Sequence, residues 1–372
     1  MKILNVTTVS GTINVFLVPH IVRLLELGHQ VDIACHITLP IHQVLVEKGC
    51  KIYNLDFQRS PFKWGNIRAY RELKKIINEG DYSVIHTHTP VASLLVRFAC
   101  RKKKDLKIIY TAHGFHFYKG APIRNWLLYY SIEKYLSKYT DILITINSED
   151  YLIAKNMFKA KTVLKIPGVG IDLNYFDRIE PDETLMDNLG IPHNSFVLIS
   201  VGELNDNKNH ETIIKALSKI KSPNIYYLIC GSGPNYEKLH QLIKDLKLND
   251  NVKLMGLLSR EEIGKLLKTS DLFIFPSYRE GLSVALMEAM TCGLPVVCSN
   301  IRGNRDLIDN EKGGYLVQPD DSDSFKKAIL KLYGDRELCY QMGNYNKKKI
   351  QSFSTVSVLK EIEGVYRSID DG

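Results

Sequence analysis

Two carboxylates, Glu280 and Glu288, punctuate the stretch Pro276-Ser277-Tyr278-Arg279-Glu280-Gly281-Leu282-Ser283-Val284-Ala285-Leu286-Met287-Glu288-Ala289-Met290-Thr291-Cys292-Gly293. Eight residues of helix rise about 12 Å, so the two do not share one atom of a ligand. They suit two parts of one extended, hydroxyl-rich molecule such as a sugar and a ribose, because carboxylates accept hydrogen bonds. A lone pair of glutamates is more often a cap and a solvated helix face. Glu288, however, sits among Leu286, Met287, Ala289 and Met290, and an acid buried there needs a partner. Lys208, in Val201-Gly202-Glu203-Leu204-Asn205-Asp206-Asn207-Lys208, follows a strand-like run. A cation there balances a diphosphate; taken alone, such a lysine is more often a solvated loop residue. His113 follows the run Lys107 to Ala112 and precedes Gly114. The carboxyl end of a strand is where open sheets bind ligands, although an isolated histidine is more often structural. His86 and His88 read as structural. Gly11 and the Gly231-Ser232-Gly233 turn can offer backbone N–H groups to phosphate, or be simple tight turns.

Other chemistries are excluded by what is missing. Gly231-Ser232-Gly233-Pro234-Asn235-Tyr236 has tyrosine where a dinucleotide fingerprint needs its third glycine, and no G-x-x-x-x-G-K-[ST] occurs. There is no H-E-x-x-H, and none of Asp81, Asp141 or Asp271 has a second aspartate two positions on. Seven scattered cysteines without a C-x-x-C point to reduced thiols and no cysteine-built zinc site. Aromatic and basic residues interleave twice. One run is Phe57-Gln58-Arg59-Ser60-Pro61-Phe62-Lys63-Trp64, continuing to Arg68, Arg71, Lys74 and Lys75; the other holds Phe115, Phe117, Lys119, Arg124 and Trp126. This composition suits either an interfacial contact with anionic lipid or a core helix with a charged outer face. No nucleic-acid-binding signature accompanies it.

The elements that must position these residues alternate. Strands are expected at 2–9, 31–36, 51–54, 83–88, 107–112, 141–147 and 162–166, with amphipathic helices such as 15–27 and 66–78 among them. After the break Pro167-Gly168-Val169-Gly170, a second series is expected at 196–201, 225–230, 252–256, 272–276 and 295–299. Ser283 to Thr291 reads as a helix, and 354–369 as a polar closing helix. Such alternation predicts an α/β protein of two doubly wound, Rossmann-like parallel-sheet domains facing an interdomain cleft. The boundaries fall at 1–170, 171–353 and 354–372, the last a helix packing back on the N-terminal domain. The 372 residues suffice for two cores. No run approaches the roughly 20 apolar residues of a membrane span, and Met1 to Val6 enters a strand without a secretory h-region, so a cytoplasmic protein is expected. Charge is one-sided. Residues 1–180 carry 25 Lys+Arg against 15 Asp+Glu, and the rest 24 against 26, so the net +8 resides in the first half. That balance points to an anionic partner for the first half alone.

Together, Lys208, Gly231 to Pro234, Ser270 to Ser277 and the E-x7-E spacing of Glu280 and Glu288 resemble the retaining GT-B glycosyltransferases of family 4. Within it, Ile301-Arg302-Gly303-Asn304-Arg305-Asp306-Leu307-Ile308 and Thr111-Ala112-His113-Gly114-Phe115 are similar to bacterial capsular and exopolysaccharide enzymes. The resemblance implies transfer of a sugar, an N-acetylated hexosamine or deoxyhexosamine, from a UDP-sugar to an undecaprenyl-diphosphate-linked sugar, without a metal or other cofactor. It implies catalytic roles for Lys208, Glu280 and His113, and donor contacts from Gly11, Glu203, Gly231, Leu257, Gly281, Leu282, Ser283 and Glu288. Acceptor and membrane contacts fall to Arg59, Lys63, Trp64, Lys119, Arg124 and Trp126, on the inner face of the cell membrane. Glu203 departs from the family, which usually has arginine there; Arg260 and Arg279 are the substitutes to consider. A GT-B UDP-N-acetylhexosamine epimerase, or an inactive GT-B subunit recruiting a partner enzyme to the membrane, are the alternatives.

Overall fold

The computed structural model describes every residue except Arg59, Pro61, Phe62, Pro181, Glu183, Asp371 and Gly372. The chain forms two compact units, Met1–Gly170 with Thr355–Gly372, and Ile171–Ser354. In the first, β1 (Lys2–Val9), β2 (Gln30–His36), β3 (Ile52–Asn54), β4 (Val84–Thr87), β5 (Lys107–Ala112), β6 (Ile142–Thr145) and β7 (Thr162–Lys165) form one sheet in the order β3-β2-β1-β4-β5-β6-β7. In the second, β8 (Phe196–Val201), β9 (Ile225–Cys230), β10 (Val252–Gly256), β11 (Leu272–Phe275), β12 (Val296–Ser299) and β13 (Gly314–Val317) follow the order β10-β9-β8-β11-β12-β13. All the strand pairs are parallel. Renumbered from its own first strand, each unit reads 3-2-1-4-5-6, with one strand added to the first. Strand order therefore reverses between β1 and β4, and again between β8 and β11, which is where open α/β sheets bind ligands.

Both sheets are covered on both faces, which explains their near-continuous apolar strands. In β8, Val197 and Ile199 join one core cluster while Phe196 and Leu198 join the other; in β11, Phe273 and Phe275 alternate with Leu272 and Ile274 in the same way. In the first unit, the helix Thr355–Asp370 places Val358, Ile362, Val365 and Tyr366 in one cluster with Ile3, Ile13 and Ile33.

Three local features differ from the sequence expectation. Strand β13 has no counterpart there. Ser10-Gly11-Thr12, expected as a glycine turn, is already helical, and runs through a π-helical stretch at Ile13–Leu17 into the helix Val18–Glu26. A second π-helical stretch, Trp126–Tyr130, interrupts the aromatic-rich segment.

Candidate active site

In the second unit, the loops after β8 and β11 lie side by side at the switch point. Asn207 ties them together: its main-chain oxygen accepts from Tyr278 N at 2.8 Å, and its side chain donates to Arg279 O at 3.0 Å. Asn209, buried and left-handed at φ 53°, donates through Nδ2 to Pro276 O (3.2 Å) and Pro319 O (2.9 Å). Lys208 is thereby held over the ring of Phe275, at 4.6 Å, with its Nζ 2.7 Å from Glu280 Oε1. Both side chains are mostly buried, at 18% and 14% exposure, so the pair is much less screened than a surface ion pair. The Gly231 turn packs against the same loop. A Cβ at Gly231 would lie 1.9 Å from Gly202 O, so no larger residue fits. Its N–H donates to Gly256 O at 2.8 Å, which sets the Leu257 turn beside it; Leu257 itself is 83% exposed.

Glu280 leads through Gly281 and Leu282 to Ser283, which caps the helix Val284–Thr291 by accepting from Leu286 N at 3.3 Å. The turn is braced from behind. Arg302, buried, donates from Nε to Glu280 O at 3.2 Å, and Gly303 (φ 76°) lies so close that a Cβ would sit 2.3 Å from Gly281 O. Just over one turn into that helix, Glu288 is buried, and burial raises its pKa while Arg260 opposes the rise. The partner that its apolar surroundings demanded is this arginine, with Nε 3.1 Å from Glu288 Oε1 and its guanidinium over the ring of Tyr175 at 4.4 Å.

The second unit thus gathers Lys208, Gly231, Leu257, Glu280, Gly281, Leu282, Ser283 and Glu288 on loops and a helix start at the carboxyl ends of β8 to β11. Glu203 stands apart in character. It is exposed, and its Oε2 accepts from Asn205 Nδ2 at 2.8 Å. Of its two expected substitutes, Arg260 is committed to Glu288 and Arg279 is exposed. Arg302, Asn207 and Asn209 are site residues that the sequence reading lacks; for Asn209 the available signal is an asparagine directly after Lys208, a residue type that tolerates a left-handed cap.

Gly11 and His113 belong to the first unit. Gly11 lies in the first helical turn after β1, where a Cβ would meet nothing within 4 Å. His113 is partly buried with its Nε2 3.3 Å from His88 Nδ1, and burial pushes its pKa down to about 4. At this unit's switch point lies a cavity of about 360 Å³ lined by Thr8, Thr12, Thr89, His116, Tyr129 and Glu133, with Val9, Val91 and Leu94 as apolar wall. Glu133 is buried against Arg97 (2.8 Å), which in turn lies over Tyr110 at 4.4 Å.

Of the residues assigned to acceptor and membrane, Lys63, Lys119 and Arg124 are exposed, and Trp64 is 85% exposed beside a groove of Ile67, Tyr70, Leu95 and Phe98. Arg59 lies outside the described residues. Trp126 turns inward, its Nε1 donating to Tyr118 O (3.3 Å) and its ring 5.5 Å from Phe117; Ile123 and Leu127 take the exposed positions beside it. Among the described residues, no group of three or more His, Cys, Asp or Glu is arranged to hold a metal ion, and no helix is long and apolar enough to cross a membrane.

Comparison with known proteins places this geometry. Residues 2–147 match the Glycosyl transferase 4-like family, and residues 181–349 match Glycosyl transferases group 1. The chain is 35% identical over 377 residues to the putative glycosyltransferase EpsD of Bacillus subtilis, covering 100% of this chain and 97% of that one. It is 30% identical over 308 residues to an Escherichia coli UDP-Gal:alpha-D-GlcNAc-diphosphoundecaprenol alpha-1,3-galactosyltransferase, covering 81% and 79%. Among solved structures, Anabaena HepE in complex with UDP superposes with a TM-score of 0.79 at 19% identity, over 99% of this chain and 100% of that one. Likeness along the full length to a glycosyltransferase, on two parallel-sheet units of this topology, establishes that the chain belongs to the family 4 glycosyltransferases of GT-B fold.

Proposed function

We propose that the protein transfers an N-acetylated hexosamine or deoxyhexosamine from a UDP-sugar to an undecaprenyl-diphosphate-linked sugar, with retention of configuration, in capsular or exopolysaccharide synthesis. The observation that carries this reading is the Lys208–Glu280 pair held at 2.7 Å at the switch point of the second unit, with Glu288 just over one turn into the helix that follows. The name of the Escherichia coli relative supports the lipid-linked acceptor, and the UDP complex of the Anabaena protein supports the nucleotide.

In this reading Glu288, anchored by Arg260, accepts hydrogen bonds from the ribose hydroxyls, and the Leu257 turn covers the uracil. Glu280 orients the donor sugar. Lys208 neutralises charge on the departing diphosphate, and the N–H groups of Gly281, Leu282 and Ser283 lie beside it. The acceptor hydroxyl attacks the face the leaving group departs from, and its proton passes to the diphosphate. The protein's share is charge stabilisation and positioning, with no enzyme nucleophile and no metal. The 360 Å³ cavity of the first unit, with hydroxyls and one carboxylate on apolar walls, suits the uncharged sugar end of the acceptor. Trp64, Ile123 and Leu127, exposed among Lys63, Lys119 and Arg124, form the surface for the anionic inner leaflet of the membrane.

The test is a set of UDP-sugars incubated with short synthetic lipid-diphosphate sugars and read by mass spectrometry. One sugar added to the acceptor, in the anomeric form of the donor, is the expected product. A donor altered in the absence of acceptor would replace this reading with an epimerase, and no turnover of any pair would replace it with a recruiting subunit.

A further inference from the structure

Behind His113 the first unit buries three more imidazoles, and one of them, His88, links His113 to Asn5 through a chain of hydrogen bonds. His88 Nε2 lies 3.3 Å from Asn5 Oδ1, and His88 Nδ1 lies 3.3 Å from His113 Nε2. The His88 ring stacks on His86 with centroids 4.2 Å apart, and His86 is 2.8 Å from both the Tyr366 hydroxyl and the Thr111 hydroxyl. His20 closes the group, with Nε2 2.8 Å from Val169 O. No carboxylate is among these hydrogen-bonding partners, so a proton on any ring would be buried uncompensated, and the rings stay neutral.

A neutral imidazole has one N–H, and a carbonyl oxygen can only accept. Asn5 Oδ1 therefore requires the hydrogen of His88 on Nε2. His88 Nδ1 is then bare and accepts, so His113 must carry its own hydrogen on Nε2. This leaves His113 Nδ1 as a lone-pair acceptor, and among the described residues nothing hydrogen-bonds to it. Asn5 also lines a cavity of about 20 Å³, room for one water beside this amide.

We infer that Asn5 and His88 are positioning residues that fix the tautomer of His113, so that it meets the donor sugar as a hydrogen-bond acceptor. This rests on the catalytic role that the family resemblance implies for His113, which we take to be a contact to that sugar. A bare ring nitrogen takes a hydroxyl and repels a carboxylate, so the relay selects a sugar with a hydroxyl at the contacted position over the corresponding uronate. Burial supports the same conclusion, since it pushes His113 down to about 4 and His86 down to about 3, which keeps both rings uncharged near neutral pH.

The direct test is the two-bond nitrogen–proton NMR spectrum of the full chain labelled with ¹⁵N-histidine at pH 7.5. Hydrogens on Nε2 of both His88 and His113 are expected; a hydrogen on Nδ1 of either overturns the relay, whatever the reaction proves to be. Asn5→Leu should then move part of the His113 population to the other tautomer. It should also lower kcat/KM for the UDP-sugar roughly tenfold, the worth of one hydrogen bond, and narrow the preference over the uronate. An unchanged tautomer and preference in Asn5→Leu overturn the inference, and should that variant not fold, the wild-type spectrum decides alone. His113→Gln separates the two claims. Unaltered transfer by that variant, with the Nε2–H tautomers seen in the wild type, removes the sugar contact and with it the selectivity, leaving the reading of Lys208 and Glu280 intact.

Discussion

The two units share strand order and place their functional groups at the same topological point, yet they fill it differently. In the second unit the switch point is occupied by charge, with Lys208 on Glu280 and Arg260 on Glu288 a short way along the chain. In the first it is neutral: threonines, stacked imidazoles and an aromatic wall, with the buried carboxylate that lines its cavity, Glu133, already beside Arg97. A scaffold therefore does not dictate its ligand; the polar groups at the strand ends do. Paired charges suit a ligand that arrives with a diphosphate and leaves as one. Neutral hydroxyls and imidazoles suit sugar hydroxyls, where a formal charge would be costly to bury and would confer little.

The strongest way to break this contrast is to remove charge from the second unit. Lys208→Ala should lower kcat about 10²- to 10³-fold, as loss of an oriented electrostatic group does, and should also lower the melting temperature, because Glu280 is left mostly buried without its cation; turnover at the wild-type rate would end the assignment. Glu280→Gln should fall similarly in kcat, measured with the native donor. Next comes acid. His86, ordinarily near 6.5, is pushed down to about 3 by burial, so below pH 6.5 the unfolded chain binds a proton that the folded chain refuses. The stability this histidine contributes is complete above 6.5 and is lost as pH falls towards the folded value, at about 1.4 kcal/mol per pH unit. Between pH 6.5 and pH 5 it should cost about 2 kcal/mol in urea unfolding followed by probes in the first unit. A His86→Gln variant should flatten that slope, and an equally steep one would show that other groups govern acid sensitivity.

Smaller effects sharpen the comparison. Arg260→Met should weaken UDP binding about tenfold by calorimetry, roughly 1.4 kcal/mol, because Glu288 would lose its orientation and become neutral more readily. Unaltered UDP affinity would detach this pair from the nucleotide. Lys63→Gln should weaken binding to anionic vesicles by about 1 kcal/mol, an effect that fades with added salt. Binding indifferent to both salt and this substitution would remove the membrane from the first unit's role.

Much of this was legible because parallel strands buried on both faces announce themselves as apolar runs, and Leu272-Phe273-Ile274-Phe275 is an example. Strand β13 escaped because Gly314-Tyr315-Leu316-Val317 is short, opens on a glycine and is only half buried, which weakens the pattern. The helix start at Ser10–Thr12 was read as a turn because glycine there suggested a bend, and nothing local reports the π-helical turns that follow. Basic neighbours put Trp126 among the expected acceptor and membrane contacts; its inward rotation is decided by Phe117 and Tyr130, ring partners that adjacency to Arg124 says nothing about. In the candidate site, the need of Glu288 for a partner was readable from its apolar neighbours. The identity of that partner was not, since Arg260 precedes it by 28 positions and meets it only through the fold.

The helix Thr355–Asp370 completes a core begun by Ile3 and Ile33. During synthesis, then, the lobe whose strands emerge first is the last to be finished: it must wait, with part of its apolar interior uncovered, until the whole of Ile171–Ser354 has left the ribosome. The intervening lobe needs nothing from either terminus for its own interior and can close early. A nascent chain halted before residue 355 would therefore carry one finished lobe and one that invites chaperones.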